Sequence, residues 1–340
     1  MRDAFFMRNI VFLTHMARSG STLVARELDR FREVAVGIEE TVPDGMVRGE
    51  EVVLHNFRDL EDYMNRAWQD PKLRDWGIQR EELKKSLADK HTFPIRFPEI
   101  LGEMLLLYFA HDPAVHLVHK KGPYYLYVDR LRQWFPKARF IHVDRDPRGI
   151  YNSQKRARRS DTGEVMAEPL TTFAFQYLAA EAAIRKHQKA PYFHLVVYEQ
   201  FLKDPQREVA RIIDFLGADS RAVSRDDNRE EQRYGAYVGK IPGAQHHLHE
   251  HLKGDVLPGR ATSWKEELGA EELYFLQKAL PITLRSKGYE QVSVHLVSPA
   301  AKVRVWRKVF WFYIRYGLKR LFFVFNLANL VGSKSGKKVL

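Results

Sequence analysis

The segment Ile10-Val11-Phe12-Leu13-Thr14-His15-Met16-Ala17-Arg18-Ser19-Gly20-Ser21-Thr22-Leu23 constrains the fold of this chain more than any other. Four apolar residues in a row read as a buried strand, the glycine-bearing stretch after them as a tight turn, and Ser21-Thr22 as the opening of a helix. A helix N-terminus presents unpaired N–H groups and the positive end of its dipole, so such a turn is an anion site. The triphosphate pattern G-x-x-x-x-G-K-[ST] is not met. His15 stands at its first glycine, Gly20 matches the second, and Ser21 replaces the lysine. The turn suits one phosphate-like group, with Arg18 as its strong cation, and is poorly equipped for a triphosphate with Mg²⁺.

A second segment describes more of the ligand. Residues 138–144 read as another strand, followed at once by Arg145-Asp146-Pro147-Arg148-Gly149-Ile150-Tyr151-Asn152-Ser153. Pro147 fits the first turn of a helix, where its missing N–H costs nothing. Arg145 then lies at the C-terminal end of the strand and Ser153 about two turns along the helix. That edge of an open α/β sheet is where ligands bind, and a guanidinium with a hydroxyl suits a second, separate phosphate.

Together these segments resemble the sulfotransferases that use 3′-phosphoadenosine 5′-phosphosulfate (PAPS). In that family an R/K-S-G-[ST]-T core binds the 5′-phosphosulfate, and an R-D-P-R-x-x-x-x-S segment binds the 3′-phosphate. Arg18-Ser19-Gly20-Ser21-Thr22 matches the first and Arg145 through Ser153 the second. Tyr198-Glu199 with Pro205 and Phe215-Leu216-Gly217 resembles the family's Y-E-x-x-x-x-x-P…FLG element. Gly259-Arg260 and Trp264-Lys265 resemble its late G-R-W-K loop, with Ala261, Thr262 and Ser263 intervening. The resemblance runs in order over roughly residues 9–290. It implies a P-loop-like sulfotransferase fold, PAPS as co-substrate without a required metal, and nucleotide contacts from Arg18, Ser19, Gly20, Ser21, Thr22, Arg145, Ser153, Tyr198 and Arg260. Tyr198 matches a position that often stacks on adenine; a buried core tyrosine is the other reading.

Predicted strands at 9–14, 33–38, 115–119, 138–144 and 192–198 alternate with helices, the pattern of a parallel sheet flanked by helices. Residues 167–189 read as one long helix and 205–217 as another. The expected division is a sulfotransferase domain over 1–298, with a helical acceptor-side insert at about 43–111, and a tail over 299–340. Packing helices without an acceptor role are the alternative for the insert.

Charge sets the tail apart. The formal net charge is +12, and residues 301–340 hold ten basic residues and no acid, leaving +2 for the rest. A nearly neutral body with a basic tail does not point to nucleic acid. Aromatic residues from Trp306 to Phe325 share the tail with a stripe containing Arg304, Arg307, Lys308, Arg315 and Lys319. Arg315, Lys319 and Arg320 interrupt any apolar span of about 20 residues, which argues against a transmembrane helix. The expectation is a basic, aromatic amphipathic helix on an anionic membrane surface, with docking on the protein's own core or on a second copy as the alternative. There is no cysteine, and only Ile10–Leu13 are apolar in a row before the phosphate turn, so no secretory signal is expected. The expected location is cytoplasmic, on the inner face of a membrane.

Sulfuryl transfer moves SO₃ from a phosphate leaving group to an acceptor hydroxyl, roughly in line. Lys121 resembles the family's K-[ST]-P lysine and is a candidate contact to the sulfuryl group. For the general base the order is Glu40, Glu39, then His119, with His15 a further rival. His246, His247, His249 and His251 lack a spacing that supports a closed metal site. The acceptor is expected to be a small molecule, a lipid or a glycan, with a membrane-presented molecule favoured by the tail. A kinase-like phosphotransferase and a non-catalytic membrane adaptor that binds PAPS are the alternatives.

Overall fold

Strands covered on both faces need no polar alternation, and the apolar runs of this chain condense into one such sheet. In a computed structural model, β1 (Asn9–His15) leads through the glycine-bearing turn into α1 (Ser21–Leu28) and β2 (Val34–Val36). A short antiparallel pair, β3 (Val53–Leu54) and β4 (Ile95–Arg96), brackets α2 (Phe57–Ala67) and α3 (Arg80–Lys90), and α4 (Phe97–Tyr108) follows. Next come β5 (His116–Lys120), α5 (Val128–Trp134), β6 (Arg139–Asp144), α6 (Pro147–Arg156), α7 (Leu170–Arg185) and β7 (Phe193–Val197). The remaining helices are α8 (Tyr198–Lys203), α9 (Pro205–Leu216), α10 (Trp264–Glu267), α11 (Ala270–Ala279), α12 (Pro281–Ser286) and α13 (Pro299–Gly332). The structure describes residues 9–39, 52–69, 73, 75–159, 162–219, 240–241, 258–294 and 297–332, with side chains of α13 as far as Gly317.

The main sheet is parallel throughout, in the order β2-β5-β1-β6-β7. All five expected strands are present, each within two residues of its expected ends. β1 is central, and its neighbours run off in opposite sequence directions, β5 and β2 on one side, β6 and β7 on the other. The crevice at the C-terminal ends of β1 and β6 is therefore the switch point where such sheets bind ligands. Register aligns His15 with Val143, so the turn after β1 and the Arg145 segment after β6 leave the sheet side by side.

The helical insert shares the domain's core: Leu60, Met64, Leu83, Leu87, Ile100, Leu101 and Leu105 are buried with the sheet residues. It also holds the chain after β2. Trp76 Nε1 donates to the Ile38 carbonyl at 3.2 Å, and Ile38 N donates to Tyr108 Oη at 3.4 Å. Those two bonds place Glu39, the next residue.

The tail is not separate from the domain over its first half. Ala301, Val305, Val309 and Phe312 recur at helical spacing and are buried. They pack α13 on α11 and α7. Arg304 pairs with Glu271 at 2.8 Å, Trp306 Nε1 donates to Tyr274 Oη, and Tyr313 Oη donates to the carbonyls of Lys278 and Ala279. Val303 and Phe310 point the other way, into solvent, and Trp311 is also exposed. Among the described residues no helix is long and apolar enough to cross a membrane.

Candidate active site

The turn after β1 is built on two left-handed residues, Arg18 at φ 72° and Gly20 at φ 97°. Gly20 is required twice over. Its φ suits glycine, and a Cβ there would lie 2.2 Å from the Tyr198 ring. Tyr198 is thus buried beneath the turn. The left-handed Arg18 sends its side chain toward α6, where Nε donates to Ser153 Oγ at 3.2 Å.

Arg145, also buried, ties the site together. Its NH1 donates to the Arg18 carbonyl at 3.0 Å, its NH2 to the Arg260 carbonyl at 3.1 Å, and its guanidinium lies 4.5 Å over the Tyr198 ring. Gly149 leaves room for this, since a Cβ there would come 2.9 Å from Arg145 Nε. The late loop carrying Arg260 therefore meets the phosphate turn despite the three intervening residues. Gln154 Nε2 adds a bond to the Ala17 carbonyl at 3.1 Å.

The electrostatics favour an anion. Arg18 is held down to about 10, first by burial and then by the guanidiniums of Arg145 and Arg260. Arg260 is lowered as well, again chiefly by burial, with Arg156 and Arg145 adding repulsion. The buried Ser19 hydroxyl and Arg145 Nε find no hydrogen-bond partner among the described residues. Converging cations and unsatisfied donors at a helix N-terminus fit a phosphate-bearing ligand.

A second cluster lies on the β5 side. Lys120 Nζ donates to Thr22 Oγ1 at 3.2 Å and sits 3.5 Å from Glu39 Oε2. Glu39 Oε2 is in turn 3.7 Å from His15 Nε2. The cation beside Thr22 is Lys120, so Arg18 is not the turn's sole strong cation. Lys121, also buried, continues the extended backbone and is turned the opposite way from Lys120 by strand alternation. His119 shares that opposite face. It is fully buried, with its ring 5.9 Å from Phe12, 5.6 Å from Trp76 and 5.3 Å from Tyr124, a position among core aromatic rings. Glu40 and the histidines at 246, 247, 249 and 251 lie outside the described residues.

His15 is neutral at pH 7. Burial pushes it down to about 4, against a smaller opposing pull from Glu39. Its Nδ1 is 3.1 Å from the Met16 carbonyl, which can only accept, so Nδ1 carries the proton and Nε2 faces Glu39 as an acceptor. His142, which meets Thr14 Oγ1 through Nδ1 at 2.8 Å, is pushed down further by burial. Unfolding returns both rings to about 6.5, so the unfolded chain binds protons that the native chain refuses. Stability is therefore complete above about pH 6.5 and is lost as the pH falls toward 4. His15 alone accounts for about 2 kcal/mol between pH 7 and pH 5. Urea unfolding at the two pH values should show that loss, smaller in His15→Gln; equal stability at both would remove the buried-neutral assignment.

The second arginine of the R-D-P-R segment, Arg148, plays a different part from Arg145. It is fully buried, pairs with Asp146 at 2.7 Å, donates to the Glu290 carbonyl and stacks 3.8 Å over Trp264. It anchors the start of α6 and the late loop rather than facing the cleft.

Comparison with known proteins agrees with this architecture. Residues 11–221 match the family described as "Sulfotransferase family", and the chain belongs to that family. No curated protein matches the chain. Among solved structures, the sulfotransferase domain from the curacin biosynthetic pathway has a TM-score of 0.50 at 15% identity, covering 84% of this chain and 99% of that one. The sulfotransferase domain of the Synechococcus PCC 7002 olefin synthase has a TM-score of 0.47 at 19% identity, over 77% and 90% of the two chains. Mouse sulfotransferase SULT7A1, solved with PAP, has a TM-score of 0.45 at 12% identity, over 82% and 85%. The fold is that of a sulfotransferase, and the family makes the chain a transferase of sulfuryl groups.

Proposed function

We propose that this chain transfers the sulfuryl group of PAPS to a hydroxyl of a membrane-presented acceptor and releases adenosine 3′,5′-bisphosphate (PAP). The observation that carries the reading is the convergence of Arg18, Arg145 and Arg260 on the turn, beside the separate Lys120–Thr22–Glu39 cluster. One cluster suits the phosphates of a nucleotide, the other the reacting centre.

When bound, PAPS supplies an SO₃ group on a phosphate leaving group. The N–H groups of Gly20 to Thr22, at the start of α1, hold the 5′-phosphosulfate, and Lys120 and Thr22 Oγ1 stabilise charge as it develops there. Arg145, Ser153 and Arg18 hold the 3′-phosphate, with Arg260 closing the cleft from the late loop. Glu39 takes the acceptor proton on Oε2. Its neighbour His15 offers only a lone pair at Nε2, so the proton gained by Glu39 is held between two acceptors. The acceptor oxygen bonds to sulfur as the bond from sulfur to the phosphate oxygen breaks, and charge balances without a metal.

Domain 1–298 carries this chemistry. The tail over 299–340 brings the protein to the inner face of a membrane, supported by its ten basic residues, with no acid among residues 301–340, and by the exposed Val303, Phe310 and Trp311. Titration calorimetry should show PAP binding without Mg²⁺ and more tightly than ATP with Mg²⁺, and labelled PAPS should pass its label to an extracted lipid pool. Tighter binding of ATP·Mg²⁺ would indicate a phosphotransferase instead. PAP binding without label transfer to any pool would indicate an adaptor.

A further inference from the structure

Between α7 and α13 lies a cavity of about 370 Å³. Phe175 and the buried Phe312 form its apolar floor, Trp311 one wall, and Arg307, Lys308 and Arg315 the basic side. Its volume is near the lower end for small-molecule sites, about 300–1,000 Å³, enough for part of an acyl chain.

Its charge is one-sided. Arg304, one turn earlier, is paired with Glu271, whereas Arg307, Lys308 and Arg315 form no ion pair among the described residues. No acidic residue lines the cavity. Three cations around an apolar floor are complementary to a molecule that is anionic at one end and apolar along the other.

Its place on the helix says where such a molecule comes from. At 100° per residue, Ala301, Val305, Val309 and Phe312 point to the core, and Val303 and Phe310 point directly away. Lys308 and Arg315 fall between these faces, on the flank that borders the cavity, and Trp311 stands at its outer edge. The exposed face is thus continuous with the cavity mouth through Phe310, 61% exposed, and Trp311, 55% exposed. Their rings are 6.0 Å apart. Aromatic rings beside basic side chains are the residues that settle at the headgroup level of a bilayer.

We propose that this cavity seats one anionic phospholipid drawn from the membrane on which α13 lies. Its phosphate rests on Lys308 and Arg315, with Arg307 beside them, and the first part of an acyl chain crosses Phe175 and Phe312. This deepens the membrane part of the proposed function and rests on it. A bound lipid joins α7 to α13, so membrane attachment is a defined contact with the domain rather than adsorption of the tail alone.

The test uses the full chain and two probes. The first is vesicles of phosphatidylcholine with phosphatidylglycerol, against pure phosphatidylcholine. The second is short-chain phosphatidylglycerol below its micelle concentration, followed by tryptophan fluorescence, with Trp311→Phe isolating the signal of the cavity. Both probes are expected to bind. Lys308→Gln with Arg315→Gln should weaken the short-chain lipid by about 10-fold or more, the worth of two charges near an anionic headgroup. Thr171→Phe, which fills the cavity from α7, should abolish short-chain binding while leaving most vesicle binding. Thermal melting checks that each variant is folded. Vesicle binding with no short-chain binding would overturn the lipid site and leave the membrane reading standing. Short-chain binding without vesicle binding would overturn both, since the occupant would then be a soluble amphiphile. Short-chain binding unchanged by Thr171→Phe would also overturn the site.

Discussion

Glu39→Gln is expected to lower kcat for sulfuryl transfer by about 10²–10⁴-fold, the usual worth of a general base, with PAP affinity preserved. Glutamine keeps the shape and the polar contact but cannot take a proton. Glu39 is held by a chain of backbone constraints: Gly37 N donates to the Val118 carbonyl at 2.9 Å, and Ile38 is fixed by Trp76 and Tyr108. The substitution therefore tests chemistry more than folding. The companion variant Glu40→Gln is the sharp control. If activity survives in Glu39→Gln and falls in Glu40→Gln, the base is the neighbouring carboxylate. His15→Gln should keep part of the activity and shift the acidic limb of the kcat–pH profile, because Nε2 shares the proton that Glu39 takes. An unshifted limb would confine His15 to packing.

Arg145→Ala is expected to weaken PAP binding by about 100-fold or more. A charge-assisted hydrogen bond to phosphate is worth roughly 1.5–3 kcal/mol, and each buried acceptor left without its donor costs roughly 1–3 more. Arg145 serves the carbonyls of both Arg18 and Arg260, so its loss also loosens the phosphate turn from the late loop. Arg145→Lys should recover part of the charge but not the forked pair of backbone bonds. Adenosine 5′-phosphosulfate, which has no 3′-phosphate, should lose far less than PAP in the Ala variant. Calorimetry giving equal losses for the two nucleotides would place Arg145 away from the 3′-phosphate.

What could be read from the sequence was local. Buried parallel strands are apolar runs, and Ile10–Leu13 or Phe140-Ile141 declare themselves without any partner in view. The Arg18–Thr22 and Arg145–Ser153 segments carry their geometry in a few consecutive residues. Three features escaped because distance along the chain hides them. Nothing near Gly20 announces that Tyr198 will fill the space a Cβ needs. The adjacent pair Lys120-Lys121 names two cations, but only the end of β5 and its register fix which one meets Thr22. Arg148 and Arg145 stand three residues apart in one motif, yet one is an anchor against Trp264 and the other a cleft residue. The short β3–β4 pair, two residues per strand, is below what periodicity can register. On α13, the four-four-three spacing of Ala301, Val305, Val309 and Phe312 was visible, but an apolar stripe does not say whether protein or lipid covers it.

The strand order also governs how the chain is made. β1 is translated before either of its sheet neighbours: Asn9 pairs with His116 and Thr14 with His142. Until β5 and β6 have been synthesised, an apolar run that ends in the glycine-bearing turn has no edge to join. Such high contact order slows folding and leaves an unpaired hydrophobic strand open to wrong partners during synthesis. Translation stalled before β5 is complete should therefore yield nascent chains that holdase chaperones capture, whereas chains released after β6 should escape them. The turn after β1 thus depends on strands that are translated only after it.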